Sequence, residues 1–404
     1  MKYLNAFQII IFLCCAFLTT IPVSSATYFS PQPSESFIQS PAPKTNSFSY
    51  DNQSPLTIIG NTALNSYASQ FNWPGNGSAS NPFVIEFYSI NVKDSGTVGI
   101  YLEQVSSFVL IQKNLFFASP DGSVGHSSNS AGSYGIIMSS CSNIIVQNNF
   151  LSNFTAFGVA ITDGYGYNSS SNIIVDNNVF SSDLSASGGI NIARSNNITL
   201  TNNEISYLYN AINVFVGDNL TISYNNLNFN NKGLMLSYVT NSVISLNIIA
   251  GNGNYGLMFD GVASKFYVNG TLVKGFIPNY VTNNDFISNN LDNYYPPNTS
   301  QALDVGRDDV NNWYHNYWDN FPNYESSQSY RINRSLGLNE FSFDSDPSHQ
   351  PIRATNSFVQ IVESMAISTT ITSLPTGSYI QSAFFFFIVI MLFIAVYFVS
   401  KQKK

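Results

Sequence analysis

A short motif repeats along the middle of the chain and limits the folds that it can adopt. The motif is a large apolar residue, two variable positions, an asparagine, one variable position and a second large apolar residue. A second motif precedes each copy and consists of a small residue followed by apolar, variable and apolar positions, as in "GIIM" from Gly135. Apolar residues alternate with polar ones within both motifs, which is the period of a β-strand. The asparagines of the first motif are Asn114, Asn149, Asn178, Asn203, Asn225, Asn247, Asn284 and Asn316.

The spacing of the repeat predicts the architecture. Asn203, Asn225 and Asn247 follow each other at intervals of 22 residues, and the longer gaps elsewhere contain polar insertions typical of loops. Strands this short cannot bury a face alone, so they are stabilised by stacking one repeat on the next. The sequence therefore predicts an all-β chain folded as a right-handed parallel β-helix of about eight or more turns, without helical segments between the strands.

The repeated polar and small residues have structural roles in this fold. We expect the eight asparagines to lie above one another at the inter-strand spacing of about 4.8 Å, in a ladder where each amide bonds the backbone and its neighbour. We expect the glycines to mark positions where the chain bends without room for a Cβ atom.

The segment "WPGNGSASNPFVIEFYSI", Trp73 to Ile90, resembles the opening of surface β-helix proteins common in archaea. In those proteins a Gly-x-Gly-Thr/Ser and a Pro-aromatic-Val/Ile-Ile lead into the first turn. The repeats resemble the NosD-type, or CASH-type, β-helix family, which is named for a periplasmic copper-processing protein, over roughly Leu56 to Ile352. The resemblance implies a pectin-lyase-like solenoid. It does not imply one activity, because this scaffold carries lyases, hydrolases and adhesins.

Both ends of the chain indicate export. Lys2, an apolar run and the small residues Ser24 and Ala26 have the layout of a cleaved secretory signal peptide. The segment "SAFFFFIVIMLFIAVYFVS" carries no charge before Lys401 and is long enough to span a bilayer. The basic end "KQKK" should stay cytoplasmic. We therefore expect a single-pass protein of the cell membrane whose ectodomain lies outside.

These patterns divide the chain into seven segments. They are the signal peptide 1–26, a Pro/Ser-rich linker 27–55, the β-helix 56–323, a C-terminal capping segment 324–356, a Ser/Thr-rich stalk 357–378, a transmembrane helix 379–400 and a basic cytoplasmic tail 401–404. The stalk residues Phe358, Ile361 and Val362 could instead pack on the β-helix. The segment 341–352 resembles the closing segment of the family, which lies along the last turn.

Charge and cysteine content exclude other classes. Only 9% of the residues are charged and the formal net charge is -8, so nothing indicates a nucleic-acid partner. Cys141 is the single cysteine outside the signal segment, so no intrachain disulfide can form in the mature protein. The low carboxylate content also suits an acidic exterior, because stability that depends on ionised carboxylates is lost when they are protonated.

Polysaccharide cleavage is the first alternative function. Hydrolysis needs two carboxyl groups across the scissile bond. The densest acidic group lies in "LDVGRDDVNN", where Asp304, Asp308 and Asp309 are the catalytic candidates. Neighbours on a strand face opposite sides, so Asp308 and Asp309 could share a groove only in a turn. A polygalacturonase-like set is incomplete, because "YRIN" lacks the lysine and no Gly-His-Gly occurs.

Copper processing, which the family name suggests, is the second alternative. It would need Cys, Met and His in groups. His126, His315 and His349 are far apart in the sequence, and Met235 and Met258 fit a packing role one turn apart. The sequence therefore predicts no metal site and no cofactor.

The sequence favours a structural or recognition role, with envelope glycans or surface proteins as partners. Tyrosines are frequent in the predicted loops, where their rings suit sugars. An exported chain also exposes its Asn-x-Ser/Thr sequons to N-glycosylation. The sequons lie at Asn52, Asn76, Asn153, Asn168, Asn197, Asn219, Asn269, Asn298 and Asn333.

The stretch "NNWYHNYWDNF", residues 311–321, looks at first like an active site. However, Trp313, Asn316 and Trp318 occupy the apolar, asparagine and apolar positions of an eighth repeat, and the family has a similar Asn-Tyr-Trp-Asp/Ser near its last turn. We therefore expect Trp313 and Trp318 to plug the C-terminal end of the core, with Tyr317 and Phe321 at its rim. His315 and Asp319 would then lack a third metal ligand.

Overall fold

The computed structural model describes twelve segments of the chain. They are residues 49–92, 96–118, 132–164, 168–182, 188–261, 266–268, 271–273, 278–290, 301–305, 311–321, 329–333 and 341–354. The predicted signal peptide, stalk, transmembrane helix and basic tail lie outside the described residues. Within the described residues, no helix is long and apolar enough to cross a membrane.

The described residues form strands and one helix. The N-terminal part contains β1 (Asp51–Asn52), β2 (Leu56–Ile59), α1 (Gly60–Gln70), β3 (Phe83–Glu86) and β4 (Tyr88–Asn91). It is followed by β5 (Val98–Glu103), β6 (Val109–Gln112), β7 (Leu115–Phe117), β8 (Tyr134–Ser139), β9 (Ser142–Gln147), β10 (Phe150–Ser152), β11 (Phe157–Thr162), β12 (Ser171–Asp176) and β13 (Val179–Ser181). The middle contains β14 (Gly188–Thr201), β15 (Glu204–Ser206), β16 (Asn210–Ser223), β17 (Asn226–Asn228), β18 (Lys232–Thr240), β19 (Val243–Ser245), β20 (Ile248–Ala250) and β21 (Leu257–Asp260). The C-terminal part contains β22 (Phe266–Val268), β23 (Thr271–Val273), β24 (Tyr280–Thr282), β25 (Asp285–Ile287), β26 (Ala302–Asp304), β27 (Asn312–Tyr314), β28 (Tyr317–Trp318), β29 (Tyr330–Asn333) and β30 (Phe341–Asp344).

Three stacks of parallel strands form the faces of a solenoid. Face 1 contains β2, β5, β8, β11, the first halves of β14, β16 and β18, and then β21, β26 and β29. Face 2 contains β3, β6, β9, β12, the second halves of β14 and β16, and then β19, β24, β27 and β30. Face 3 contains β1, β4, β7, β10, β13, β15, β17, β20, β25 and β28. The predicted right-handed parallel β-helix is confirmed. Among the described strands, only the pairs β22–β23 and β29–β30 are antiparallel.

The core is a set of columns in which equivalent residues of successive turns touch. Ile190, Ile212 and Leu234 are paired in register on face 1, and all three are buried. The small residue before each such position is required by the close approach of the turns. A Cβ atom on Gly135 would lie 2.5 Å from the Gly158 carbonyl oxygen, and one on Gly233 would lie 2.2 Å from the Gly256 carbonyl oxygen. Both distances are shorter than any van der Waals contact, so side chains are excluded there.

The eight asparagines of the repeat lie one above another at the corner between faces 2 and 3, and all are buried. From Asn149 onward, each Oδ1 accepts bonds from the backbone N–H and the Nδ2 of the asparagine one turn earlier, as between Asn203 and Asn225 at 3.0 Å for both. Each Nδ2 also donates to a carbonyl, as from Asn203 to Val175 at 2.8 Å. The preceding residue turns in the left-handed region, with φ of 51 at Asn177 and 57 at Leu246. The ladder bonds offset the cost of these conformations.

A second amide ladder occupies the corner between faces 3 and 1 and was not predicted. Asn230 donates from Nδ2 to Asn252 Oδ1 at 3.3 Å, Asn252 donates to Asn289 Oδ1 at 2.8 Å, and Asn289 donates to Gln301 Oε1 at 3.0 Å. The sequence did contain a signal, because Asn230, Asn252 and Asn289 each follow a first-ladder asparagine by five residues.

One helix interrupts the predicted run of strands. Gly60, with φ of 74, turns the chain out of β2 into α1, which buries Leu64 and Ala68 against the core. Three aromatic rings stack beside it, with centroids 5.9 Å apart for Tyr67 and Phe71 and 5.9 Å apart for Phe71 and Trp73. The helix therefore covers the N-terminal end of the solenoid. Asp51 and Asn52, which fall in the predicted linker, form β1 and pair with β4.

The C-terminal end carries a column of aromatic rings. The Trp318 ring is stacked between the rings of Phe286 and Tyr330. Its centroid lies 4.2 Å from that of Phe286, with 7° between the ring planes, and 3.9 Å from that of Tyr330, with 8° between the ring planes. Tyr330, and not Trp318, is thus the outermost ring of this column, and Phe321 packs edge-on against it at 5.7 Å. Tyr317 differs from the expectation, because strand alternation turns it away from the core. It lies in a second cluster outside face 3 with Ala250, Ile287 and Ala354.

Candidate functional site

The corner that joins face 1 to face 2 carries insertions in several places, among them after Ile59, Thr162, Asp260 and Asp304. Between the insertions after Thr162 and Asp260 lie turns that pass this corner without one. Their corner residues Arg194, Phe215 and Tyr238 form a surface that we call the aromatic corner. Arg194 and Tyr238 have φ of 46 and 56, which is the left-handed region. Backbone in this region bends the chain sharply between the two faces, and the side chains project outward.

The aromatic corner is exposed and ordered by its own contacts. Phe215 and Tyr238 are 43% and 40% exposed, and their rings meet edge-on at 5.8 Å and 89°. The Arg194 guanidinium lies 5.9 Å from the Phe215 ring centroid, and its Nη1 lies 3.6 Å from Asp163 Oδ2. Apolar rings that the core does not use are typical of a binding surface.

The outer side of face 1 beside this corner offers amides, thioethers and a phenol. Asn213 Nδ2 donates to Asn191 Oδ1 at 2.8 Å, and Met235 and Met258 are register partners one turn further on. Tyr101 donates its hydroxyl to Glu103 Oε2 at 3.1 Å. Burial, followed by the Glu103 carboxylate, raises the pKa of Tyr101 above its usual value, so the phenol remains a donor. The surface can hydrogen-bond hydroxyl groups and cover apolar ones.

The charges around the aromatic corner are mostly negative. Asp260 is in register with Ser237, which is in register with Phe215, so the Asp260 carboxylate lies in the same column two turns on. Asp218 begins the next strand of face 2 and accepts a bond from Thr240 Oγ1 at 2.8 Å. Arg194 carries the positive charge of the aromatic corner, and it faces Asp163. Polyanionic ligands would therefore be repelled.

The predicted catalytic candidates do not form a constellation in the described residues. Asp304 is buried and accepts bonds from Trp313 Nε1 at 3.0 Å, Asn311 Nδ2 at 2.9 Å and Ser342 Oγ at 3.2 Å. Its carboxylate therefore holds the C-terminal turns together. Asp308 and Asp309 lie outside the described residues.

The residues considered for copper do not converge. Within the part of the chain that the structure describes, no group of three His, Cys, Asp or Glu side chains could hold a metal ion. Cys141 is buried, donates to the Ser139 carbonyl oxygen at 3.3 Å, and has a thiol pKa that burial raises to about 11. It is therefore a packed thiol and not a thiolate ligand. His315 Nδ1 lies 3.7 Å from Asp346 Oδ2, and His126 is outside the described residues.

The sequons fall in different environments. Asn52, Asn76, Asn168, Asn197 and Asn219 are exposed, whereas Asn153 is half-buried. Asn219 Nδ2 donates to Asn197 Oδ1 at 3.2 Å, so these two amides already bond each other on the surface. Asn269 and Asn298 lie outside the described residues, and Asn333 lies within β29.

The family model agrees with the strand pairing of the middle of the chain. The family described as right handed beta helix region matches residues 162–293. Three solved structures are similar at 12% identity. The alignment with the Azotobacter vinelandii mannuronan C-5 epimerase AlgE6 A-module covers 58% of this chain and 68% of the A-module, with a TM-score of 0.39. The alignment with PfbA, a surface adhesin of Streptococcus pneumoniae, covers 58% of this chain and 72% of PfbA, with a TM-score of 0.38. The alignment with polygalacturonase from Erwinia carotovora ssp. carotovora covers 64% of this chain and 93% of the polygalacturonase, with a TM-score of 0.34. No curated protein matches the chain.

Sequence reasoning missed the aromatic corner. Ala193, Phe215 and Ser237 are equivalent positions of three successive repeats, and an aromatic residue between two small ones is the available signal. That signal has meaning only once the position is known to point outward.

Proposed function

We propose that this protein is a cell-surface β-helix of the NosD or CASH type, anchored by a single membrane span near its C-terminus, that binds glycans along the aromatic corner. The exposed, edge-on pair of Phe215 and Tyr238 is the observation that carries the proposal. Aromatic rings present flat apolar surfaces that fit the C–H faces of sugar rings. The neighbouring Asn191 and Asn213 amides supply donors and acceptors for sugar hydroxyls.

The ligand class follows from the charges. Asp163, Asp218 and Asp260 surround the aromatic corner, and Arg194 is paired with the first of them. A uronate-rich polysaccharide would meet carboxylates at close range, which is unfavourable. We therefore propose a neutral glycan, of which several residues lie across successive turns at their spacing of about 4.8 Å.

A glycan array probed with the full chain in detergent micelles tests the proposal. Neutral glycans should bind and polyuronates should not. Phe215→Ala combined with Tyr238→Ala should weaken binding about tenfold, because each ring contributes about 0.5–1.5 kcal/mol. The matched control is Tyr280→Ala combined with Tyr314→Ala, which removes two rings of 43% exposure from face 2. Equal losses in both double variants, or binding to none of the glycans, would refute the proposal.

One observation favours a hydrolase as a second candidate. Glu103 is in register with Ser139, and Ser139 with Thr162, so Asp163 lies one residue beyond the column of Glu103 and two turns, or about 9.6 Å along the solenoid, from it. Inverting glycosidases place their carboxyl groups at a similar separation. Release of reducing ends from a bound glycan, abolished by Glu103→Gln, would establish this function in place of simple binding.

A further inference from the structure

Residues 346–354 are the last that the structure describes, and they run back across the outer side of face 3. The Asp346 carbonyl oxygen accepts the backbone N–H of His315 at 2.8 Å, and Ser348 forms a parallel bridge with Tyr317 of β28. We call residues 346–354 the clasp. It therefore begins at the last described strand of face 3.

The clasp is next held by the buried Asp285 carboxylate, one strand closer to the N-terminal end. The backbone N–H of Ile352 donates to Oδ1 at 2.6 Å, and those of Arg353 and Ala354 donate to Oδ2 at 2.7 Å. Consecutive N–H groups around an anion form a nest, and hydrogen bonds to an ionised acceptor are about twice as strong as neutral ones. Asp285 is therefore the main anchor of the clasp.

The Arg353 side chain extends the clasp to two earlier turns. Its Nη1 donates to the Leu246 carbonyl oxygen at 2.8 Å, and its guanidinium lies 5.4 Å from the Tyr224 ring centroid. Leu246 comes shortly before β20, and Tyr224 shortly before β17. The clasp therefore contacts the turns of β17, β20, β25 and β28, which are four successive strands of face 3.

The clasp contacts join positions that are far apart in the sequence. Asp285 and Ile352 are separated by 67 positions, and Leu246 and Arg353 by 107. A solenoid turn contacts only its neighbours, so the turns at a free end open one after another. While the clasp contacts hold, however, opened turns form closed loops, which gain less conformational entropy than a free end. Opening from the C-terminal end is therefore unfavourable until these contacts break.

We propose that the clasp joins the turns of β17, β20, β25 and β28 into one cooperative unit, so that the C-terminal end of the solenoid does not open turn by turn. Opening of β28 gains its full chain entropy only when the contacts of Asp285 and Arg353 break with it. The four turns therefore share one free energy of opening. The same contacts close last during folding, because each needs the turns between its two partners to be in register.

The clasp lies away from the proposed glycan site. Its contacts are on face 3 and at the corner between faces 2 and 3, whereas Phe215 and Tyr238 lie at the corner between faces 1 and 2. The inference therefore does not depend on the proposed function, and its failure would leave glycan binding untouched.

Native-state hydrogen exchange of the full chain in detergent micelles, read by mass spectrometry, tests the clasp. In the wild type, the backbone amides of β17 and β28 should have equal protection factors. Arg353→Ala removes the contacts with Leu246 and Tyr224, and should raise exchange about tenfold in β28 and progressively less in β25, β20 and β17. Lys232→Ala is the matched control, because Lys232 Nζ also lies 5.4 Å from a ring centroid, that of Tyr209, outside the clasp. It should leave exchange in β28 unchanged.

Asp285→Ala tests the main anchor of the clasp. Three backbone N–H groups lose their acceptor, so exchange in β28 should rise more than in Arg353→Ala. The control is Glu204→Ala, which removes a carboxylate from the same outward column three strands earlier and should leave β28 unchanged. Far-UV circular dichroism checks that each variant is folded, and Arg353→Ala decides alone if Asp285→Ala is not. Protection in wild-type β28 that is already lower than in β17, or faster exchange confined to residues 352–354 in Arg353→Ala, would overturn the proposal.

Discussion

The two ends of the solenoid are closed in different ways, and the asparagine ladder explains the difference. At the N-terminal end, Asn114 Oδ1 is an acceptor, and the Tyr88 backbone N–H satisfies it at 2.9 Å. At the C-terminal end, Asn316 presents a backbone N–H and an Nδ2, so two donors need an acceptor. The Asp344 carboxylate accepts both at 3.0 Å. A carboxylate suits this position because it is an acceptor with no donor of its own.

The elements that cover the apolar core at the two ends of the solenoid also differ. The N-terminal cover is α1, a local element between two strands of the first turn. The C-terminal cover uses Tyr330 and β30, which come from chain beyond the last repeat. Asp344 also accepts from Trp318 Nε1 at 3.0 Å, so one carboxylate ends the ladder and orients the ring below the cover. The C-terminal end therefore depends on a few buried contacts, whereas the N-terminal end depends on general apolar packing.

The largest expected effect is at the centre of the aromatic column. Trp318→Ala should lower the free energy of unfolding by about 4 kcal/mol, because it leaves a cavity between Phe286 and Tyr330. Urea denaturation, monitored by far-UV circular dichroism, measures this loss of unfolding free energy. Tyr314→Ala, which removes an exposed ring from the same turn, is the control and should change little. Similar losses in the two variants would show that Trp318 does not hold this end.

The next effect tests the direction of the ladder. Asp344→Ala should cost about 3 kcal/mol, because three donors, Asn316 N–H, Asn316 Nδ2 and Trp318 Nε1, lose their acceptor in a buried site. Asp344→Asn retains a carbonyl oxygen, as in every earlier turn of the ladder, and should cost much less. The same denaturation experiment compares the two. If Asp344→Asn is as damaging as Asp344→Ala, the charge is required and not only the acceptor.

The N-terminal cover should give a smaller and more local effect. Leu64→Ala should cost about 2 kcal/mol, because this end of the solenoid can partly collapse onto the cavity. Hydrogen exchange should increase in β2 and β5, and stay unchanged in β27 and β28, since each turn contacts only its neighbours. Faster exchange throughout the solenoid would instead indicate a single cooperative unit in which both ends act together.

The same contrast explains what the sequence could predict. The strands, the faces and the first ladder follow from a motif that recurs, so each copy supports the others. Asp344 belongs to the ladder but lies 28 residues after Asn316 with no repeat around it, so its role follows only from the fold. The helix α1 has apolar residues at helical spacing, Leu64, Tyr67 and Ala68, followed by Phe71 at its C-cap, but this pattern occurs once.

The candidate site was harder to predict than the fold. A residue of the aromatic corner is defined by the direction in which it points and by what it faces two turns away. Arg194 and Asp163 are 31 positions apart in the chain and meet only when the turns are in register. The burial of Asp304 had no signal in the sequence either, because its partners Trp313 and Ser342 come from two later segments.

The smallest effect concerns pH, and it should also separate the two ends. Burial raises the pKa of Asp285, Asp319 and Asp344 above the usual 3.8, against the opposing effect of their hydrogen bonds. All three lie at the C-terminal end, whereas α1 contains no acidic residue. When a carboxyl pKa is higher in the folded state, the folded state binds protons that the unfolded state has already released. Stability then falls as pH rises from 3.8 to the folded pKa, and is constant above it.

Acidification should therefore not weaken the C-terminal end. The urea midpoint of the wild type should be level as pH falls from neutral, and should then rise as pH passes below the folded pKa values of these three groups. The rise should disappear when Asp285, Asp319 and Asp344 are all replaced by Asn, because no proton is then taken up there. The protection factors of backbone amides, which correct for the slower intrinsic exchange in acid, should rise in β28 and not in β2. The contrary outcome is a urea midpoint that falls with acid in the wild type but not in the triple variant. It would mean that the ionised carboxylates stabilise this end and that the direction assigned to their pKa shifts is wrong.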